Sequence, residues 1–195
     1  MHSLRSGFLV SLKNTEMKNL IGFVGAIGIV ISLFGFDYLA NAKKLEVGDK
    51  VPNFELKNQG NANFILEEYF GKKNLIIYFY PKDDTPGCTK EACKFRDDFE
   101  VFTDLDAMVI GISSDSPESH LKFKEKYNLP FILLSDTDDA VRKLFGVDGN
   151  YNGMRPGRVT FVVNKKGVVQ YVFDSSSDVE EHIISTQKVL KGIND

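Results

Sequence analysis

The chain has 195 residues, of which 43% are hydrophobic, and this length supports one compact domain together with an extra segment. Its formal net charge of −3 is mildly acidic and no run of lysine and arginine occurs, so the electrostatic footprint of a nucleic-acid-binding protein is absent. The acidic runs at 83–84 and 136–139 are short, and we expect them in turns or at helix starts, where aspartate caps well, rather than in a metal site.

The first 42 residues differ in composition from the rest of the chain. Residues 20–36 are apolar and uncharged, Lys18 precedes them, and the small-residue sequence Ala40-Asn41-Ala42 follows. This order is typical of an export signal that is cut at its end. We therefore predict a leader at 1–42, with cleavage after Ala42.

An uncleaved membrane anchor is the main alternative to an export signal, because the apolar stretch is slightly long for a signal and slightly short for a full span. Met17 as the true start, or a bipartite organelle-targeting leader that begins at Met1, are further possibilities. In each case the domain at 43–195 is predicted to lie across a membrane from the cytosol, in a periplasm, in a thylakoid lumen or tethered to a membrane surface.

Residues after the leader show short periodic runs separated by turn signals. They predict, in chain order, a hairpin of strands at 54–57 and 63–65, a helical turn at 66–70, a strand at 75–80, a helix at 88–102, a strand at 107–113, a helix at 117–127, a strand at 131–134, a helix at 138–145, a loop at 148–157, a hairpin of strands at 159–163 and 168–173, and a helix at 178–190. Early alternation of strands and helices with a late hairpin predicts an α/β fold. We expect a mixed central sheet flanked by helices, with an N-terminal hairpin.

The two cysteines of the chain, Cys88 and Cys93, lie at the start of the predicted helix that follows the first buried strand. A short loop with proline and glycine joins that strand to Cys88. Backbone N–H groups and the helix dipole at such a helix N-terminus favour the thiolate over the thiol. Because the thiolate is the nucleophilic form of cysteine, this segment predicts a reactive thiol.

The spacing of the two cysteines argues against a permanent disulfide. On an ideal helix it separates the two Cα atoms by roughly 8.5 Å, whereas a disulfide rarely tolerates more than about 7 Å. The pair can bond only if the first helical turns unwind, which suits a cycle in which Cys88 reacts first and Cys93 closes on it. A structural disulfide, two inert thiols and a zinc site are the alternatives. Zinc is disfavoured because no further cysteine or nearby histidine completes a ligand set.

The segment Pro81-Lys82-Asp83-Asp84-Thr85-Pro86-Gly87-Cys88 has a proline, a threonine four residues later and a cysteine three residues after that. This pattern resembles the active site of the peroxiredoxin superfamily. Cys93 resembles the second cysteine of its bacterioferritin comigratory protein / peroxiredoxin Q group. Flanking segments also match: residues 45–54 resemble the family's opening segment, residues 129–136 its central strand, and residues 158–163 the strand that presents its arginine.

The resemblance implies a thioredoxin-like fold and a thiol peroxidase that reduces hydrogen peroxide and organic hydroperoxides without a cofactor or a metal. It implies that Cys88 is the peroxidatic nucleophile and that Cys93 resolves it by forming a disulfide. Thr85 then offers its hydroxyl to the peroxide, Pro81 shapes the loop and excludes water, and Arg158 holds both the sulfur and a peroxide oxygen. Recycling by thioredoxin or a similar dithiol, and a monomeric state, are also implied.

Two other functions stay open at this point. An exported thiol–disulfide oxidoreductase would share the fold and the compartment, but its usual two-residue spacing between cysteines is missing. A membrane-tethered binding domain or holdase would not need the motif residues to be intact. The histidines His2, His120 and His182 are scattered along the chain, and we expect each at the surface.

Overall fold

A computed structural model describes residues 43–147, 149 and 157–194. The predicted leader at 1–42 with its cut after Ala42, His2 and most of the predicted loop at 148–157 lie outside the described residues. Within the described part of the chain, no helix is long and apolar enough to cross a membrane.

The described residues contain seven β-strands, five α-helices and one 3₁₀-helix. The strands are β1 (Glu55–Asn58), β2 (Asn63–Ile65), β3 (Asn74–Phe79), β4 (Ala107–Ser113), β5 (Ile132–Ser135), β6 (Val159–Val163) and β7 (Val169–Asp174). The helices are α1 (Pro86–Asp97), α2 (Phe99–Asp104), α3 (Pro117–Tyr127), α4 (Ala140–Leu144), α5 (Val179–Asn194) and the 3₁₀-helix Leu66–Tyr69. Each predicted strand and helix is present within a few residues, except that the predicted helix at 88–102 is divided in two.

The strands of the described residues form one mixed sheet in the order β2-β1-β5-β4-β3-β6-β7. Strand β4 pairs parallel with both β3 and β5. All other neighbours are antiparallel, including the N-terminal hairpin β1–β2 and the late hairpin β6–β7. This topology confirms the predicted α/β class, with a mixed central sheet and an N-terminal hairpin.

Strand β3 is buried at every position because it lies inside the sheet, between β4 and β6. Its side chains alternate between two apolar clusters, with Leu75 and Ile77 in one and Ile76 and Tyr78 in the other. The second cluster also receives side chains from helices α1, α3 and α5, and it contains Cys88. The cysteine therefore lies on the face of the sheet that these three helices cover.

Local signals explain where the two helices nearest the site begin and end. Helix α3 starts at Pro117, directly after Ser116, whose Oγ accepts a hydrogen bond from the backbone N–H of Ser119 at 3.3 Å. It ends at Asn128, which adopts the left-handed conformation (φ 51°). Helix α1 ends at Asp97, and the next residue, Asp98, has a ψ of 12° that is not helical, so the predicted single helix becomes α1 and α2.

Candidate active site

Cys88 lies in the first turn of α1, shortly after the loop that leaves the carboxyl end of β3. The helix begins at Pro86, and Thr85 before it has the extended backbone of an N-cap residue (φ −91°, ψ 151°). The Cys88 side chain is only 2% exposed. The positive end of the helix dipole therefore acts on a thiol that is shielded from bulk water.

The side chain of Arg158 reaches Cys88 from a distant part of the chain. Its Nη2 atom lies 3.5 Å from Cys88 Sγ, although the two residues are 70 positions apart. Strand β6 pairs antiparallel with β3 and places Val159 opposite Phe79, which brings Arg158 to the end of the sheet where the loop leaves β3. Gly87 permits this approach, because a Cβ atom there would lie 3.2 Å from Arg158 Nη2.

Glu91 is the second partner of Arg158. Its Oε2 atom accepts a hydrogen bond from Arg158 Nη1, and the two side chains are 0% and 5% exposed. Burial raises the pKa of Glu91 from its ordinary 4.5 to about 7, and the attraction of Arg158 opposes this rise only in part. Burial alone would lower the pKa of Arg158, but Glu91 and Cys88 together raise it. Arg158 thus keeps its charge while it joins a buried carboxyl to a buried thiol.

His182 lies beside the second carboxylate oxygen of Glu91 and contacts Thr160. His182 Nδ1 lies 3.8 Å from Glu91 Oε1 and 2.7 Å from Thr160 Oγ1, while Nε2 lies 2.9 Å from the backbone oxygen of Ser175. Because a carbonyl oxygen can only accept, Nε2 carries a proton and donates to it. Burial lowers the pKa of His182, so the ring is neutral near pH 7 and the Thr160 hydroxyl donates to Nδ1.

The other predicted site residues lie around this cluster. Thr85 Oγ1 donates to the backbone oxygen of Lys82 at 3.1 Å, so the loop orients the hydroxyl. Pro81 is half-buried and opens the segment that leads to the helix. Cys93 is half-buried further along α1, and both cysteines are free thiols. A single α-helix covers both cysteines, as their surroundings in the sequence predict.

The prediction of surface histidines is wrong for the two histidines that lie within the described residues. His120 and His182 are each 0% exposed. Both rings tolerate burial because each of their nitrogens lies close to a polar atom. His182 belongs to the cluster around Arg158, and His120 belongs to a separate cluster beneath the loop before Cys88.

Sequence reasoning does not single out Glu91, Thr160 or His182. Glu91 follows Cys88 by three residues, which places it on the same helical face, but a glutamate on such a helix is usually exposed. Thr160 follows Arg158 by two residues, and alternate residues of a strand share a face. These spacings identify neighbours of the site only once the contact between the arginine and the cysteine is known. That contact is a tertiary one, which the sequence does not show.

The titratable groups at the site suit thiol chemistry. Burial raises the pKa of Tyr78 well above its ordinary value, with Glu91 and Cys88 adding to the rise, so the phenol stays protonated. Within the described residues, no group of three or more histidine, cysteine, aspartate or glutamate side chains could hold a metal ion. A buried thiol beside a permanent cation and a helix N-terminus favours nucleophilic attack by a thiolate.

Comparison with known proteins identifies the family. A family model described as AhpC/TSA matches residues 47–172 of this chain. A chloroplastic peroxiredoxin Q of Oryza sativa subsp. japonica is 47% identical over 150 residues, which is 77% of this chain and 69% of the relative. The chloroplastic peroxiredoxin Q of Arabidopsis thaliana is 48% identical over 148 residues, which is 76% of this chain and 68% of the relative.

Solved structures of similar proteins have the same fold. Peroxidoxin BcpB of Mycobacterium tuberculosis superposes with a TM-score of 0.72 at 34% identity, covering 76% of this chain and 98% of that one. The bacterioferritin comigratory protein of Xanthomonas campestris superposes with a TM-score of 0.67 at 31% identity, covering 73% of this chain and 92% of that one. These matches confirm the thioredoxin-like peroxiredoxin fold and the resemblance found in the sequence. The chain therefore belongs to the AhpC/TSA family, in its peroxiredoxin Q group, and is an enzyme, a thiol peroxidase.

Proposed function

We propose that this enzyme reduces hydrogen peroxide and organic hydroperoxides to water and alcohols, with Cys88 as the nucleophile. The contact of 3.5 Å between Arg158 Nη2 and Cys88 Sγ, at the N-terminus of α1, is the observation that supports the proposal most strongly. The Xanthomonas campestris relative is described for its alkyl peroxide reduction activity. That description favours organic hydroperoxides as one class of substrate here.

The first step is attack by the Cys88 thiolate on the terminal oxygen of the peroxide. A sulfur–oxygen bond forms, the O–O bond breaks, and the departing oxygen takes up a proton to become water or an alcohol. Cys88 becomes a sulfenic acid. Arg158 stabilises the thiolate and the negative charge that develops on the departing oxygen, and Thr85 offers its hydroxyl to the peroxide. Pro81 shapes the loop and limits access of water.

The second step is attack by the Cys93 thiolate on the sulfenic sulfur of Cys88. A disulfide forms, and the hydroxyl of the sulfenic acid leaves with a proton as water. The two cysteines lie five residues apart on α1, about 8.5 Å between Cα atoms on an ideal helix, so its first turns unwind before the disulfide closes. An external dithiol then reduces the disulfide by thiol exchange and is itself oxidised.

The proposed reductant is thioredoxin or a thioredoxin-like dithiol, and the proposed state is a monomer. The peroxiredoxin Q relatives named above are chloroplastic. We propose that residues 1–42 direct export to a compartment such as the thylakoid lumen or a periplasm, with cleavage near Ala42. N-terminal sequencing of the protein isolated from its own cells tests this placement. A start at Lys43 supports it, whereas an intact leader in the membrane fraction supports the tethered alternative.

Thiol counting with one equivalent of hydrogen peroxide tests the proposed reaction. The reduced protein is expected to pass within seconds from two free thiols to none, with a loss of two hydrogens in the intact mass. Cys88→Ser is expected to abolish peroxide consumption. Cys93→Ser is expected to allow one turnover, which ends at the sulfenic acid, and no recycling by thioredoxin.

The control for these measurements is the same protein with a disulfide substrate in place of peroxide. Robust peroxide turnover by the Cys88→Ser protein would overturn the role of that residue. A wild-type protein that ignores peroxide but exchanges readily with the disulfide would favour the exported oxidoreductase instead.

A further inference from the structure

A buried polar cluster anchors the β3–α1 loop, which we define as residues 80–85. Asp83 is 7% exposed, and its carboxylate accepts hydrogen bonds from Tyr80 Oη at 2.7 Å and from Ser119 Oγ at 2.8 Å. His120 is 0% exposed, and its Nδ1 atom lies 2.9 Å from Asp83 Oδ2. The loop before the reactive cysteine is therefore tied to α3 by groups that are shielded from water.

The contacts of His120 determine where its protons lie. Nε2 lies 3.1 Å from the backbone oxygen of Leu134, which can only accept, so Nε2 carries a proton. The short contact of Nδ1 with Asp83 requires a second proton between these two atoms. Tyr80 and Ser119 also donate to Asp83, and Tyr80 Oη lies 3.3 Å from His120 Nδ1. A hydrogen bond therefore joins the His120 ring to the carboxyl group of the loop.

The backbone of the loop is held by the same region of the fold. The Asp83 N–H donates to Asp115 Oδ2 at 2.8 Å, at the start of α3. Asp84 adopts a positive φ of 55°, and its carboxylate accepts from Lys126 Nζ at 2.6 Å and from Tyr127 Oη at 2.5 Å. The Asp83 side chain, the Asp83 backbone and the Asp84 side chain are thus each bound to α3 or to the segment just before it. These contacts restrict the conformation of the loop just before Thr85.

We infer that His120 is a positioning residue for the peroxidase reaction, acting through Asp83 on the β3–α1 loop. This inference rests on the proposed function. The 3.5 Å contact between Cys88 and Arg158 joins two elements that are placed independently. The sheet fixes Arg158 at the start of β6, whereas the loop sets the start of α1. Holding Asp83 in place keeps Thr85 and Cys88 in register with Arg158.

Two amide variants separate positioning from packing. The amide nitrogen of His120→Asn can take the place of Nδ1 and donate to Asp83. The amide nitrogen of His120→Gln takes the place of Nε2 and donates to Leu134 instead. We expect His120→Gln to lower the second-order rate of Cys88 oxidation by hydrogen peroxide by about 10- to 100-fold, as a misplacement on the order of 1 Å would. His120→Asn is expected to retain the rate within about fivefold.

Stopped-flow single turnover in a Cys93→Ser background isolates this step, and circular dichroism verifies that each variant is folded. Alkylation of Cys88 by iodoacetamide is a second readout that needs no peroxide, and the same order of the two variants is expected. Lys122→Met is the control, because Lys122 is an exposed residue of α3, and the substitution is expected to change either rate by less than about twofold.

Equal rates for His120→Gln and the wild type, or equal losses in the glutamine and asparagine variants, would overturn the inference. If His120→Gln does not fold, Ser119→Ala decides, since it removes a single donor to the same carboxylate at a half-buried position. An oxidation rate about threefold lower then supports the inference, and an unchanged rate overturns it. Failure of the wild type to react with peroxide overturns the proposed function instead, and the alkylation ratios still decide the role of His120.

Discussion

At the level of single residues, one guanidinium holds two buried partners of different chemistry. Arg158 directs Nη2 to the Cys88 sulfur and Nη1 to Glu91, and both contacts are buried. A planar group with several donors in fixed directions can make both contacts at once. A lysine ammonium has the same charge but only one nitrogen, so it can approach the sulfur or the carboxylate well, and not both.

Arg158→Lys is therefore expected to lower the second-order rate of Cys88 oxidation by about 100-fold, the usual effect of losing one well-placed donor to a developing charge. Stopped-flow oxidation by hydrogen peroxide measures this. Arg142→Lys is the matched control, since Arg142 contacts Asp139 and Val147. A rate for Arg158→Lys within about threefold of the wild type would show that charge alone is sufficient.

At the level of elements, α1 both presents the reactive cysteine and keeps the second cysteine away from it. The helix runs without a break through the two cysteines, and its buried residues include Glu91, Ala92 and Phe95. Its first turns must open before a disulfide can form. In the proposed mechanism the helix therefore favours the oxidation of Cys88 and opposes closure of the disulfide.

Lys90→Gly is expected to speed closure of the disulfide. Lys90 lies between the cysteines and is exposed, and glycine there costs roughly 1 kcal/mol of helix stability, which corresponds to about fivefold more of the unwound form. The measurement is the rate at which the Cys93 thiol disappears after Cys88 is oxidised.

Lys90→Ala is the control, because it removes the same exposed ion pair with Glu180 but preserves the helix. Closure at the wild-type rate in the glycine variant would mean that unwinding does not limit the second step.

The comparison of sequence with structure differs between elements and site. Strand β3 and helix α3 were predictable because their signals are local. The signal is a continuous apolar run for β3 and a proline directly after a capping residue for α3. The break at Asp98 was not, because apolar residues continue at helical spacing on both sides of it. Hydrophobic periodicity shows which face of a helix is buried. It does not show a break in the helix when apolar residues continue on the same face beyond the break.

The candidate site was predictable only where a motif marks it. The segment around Cys88 has a recognisable spacing, and the family resemblance supplies Arg158. Glu91, His120 and His182 have no such marker, because a charged or titratable residue is buried only when a partner from elsewhere in the fold meets it. Only the packing of α1, α3, α5 and β6 shows which partners meet, and no local sequence pattern records that packing.

At the level of the whole molecule, a carboxyl group in the interior makes stability depend on pH. The pKa of Glu91 is about 7 in the folded protein, against an ordinary value of 4.5. Between these two pH values the folded state therefore binds more protons than the unfolded state. The contribution of Glu91 to the free energy of unfolding is fully present below its ordinary pKa of 4.5. It is lost as the pH rises through about 7, the pKa of Glu91 in the folded protein.

Glu91→Gln is expected to flatten this dependence. Between about pH 5 and pH 8 the free energy of unfolding of the reduced wild type should fall, relative to the variant, by on the order of 2 to 3 kcal/mol. Denaturant unfolding at several pH values measures both proteins. His182 lies beside Glu91, so the difference between the two proteins reports Glu91 together with its effect on this neighbour.

Glu180→Gln serves as the control for this measurement, since Glu180 is exposed and its ion pair with Lys90 is at the surface. It is expected to follow the wild-type curve. A Glu91→Gln variant that keeps the full wild-type pH dependence would place the titrating group elsewhere.

Glu91 stands between the two cysteines in the chain, three residues after Cys88 and two before Cys93. In the proposed cycle, the unwinding that lets the sulfur atoms meet also separates the Glu91 carboxyl from Arg158. Separating a buried ion pair is costly, because a charge is left in the interior without its counter-ion. In the proposed cycle only the oxidised enzyme loses this contact, so the contact favours the reduced helix. One glutamate thus ties the electrostatics of the pocket to the ease with which the spent enzyme accepts electrons.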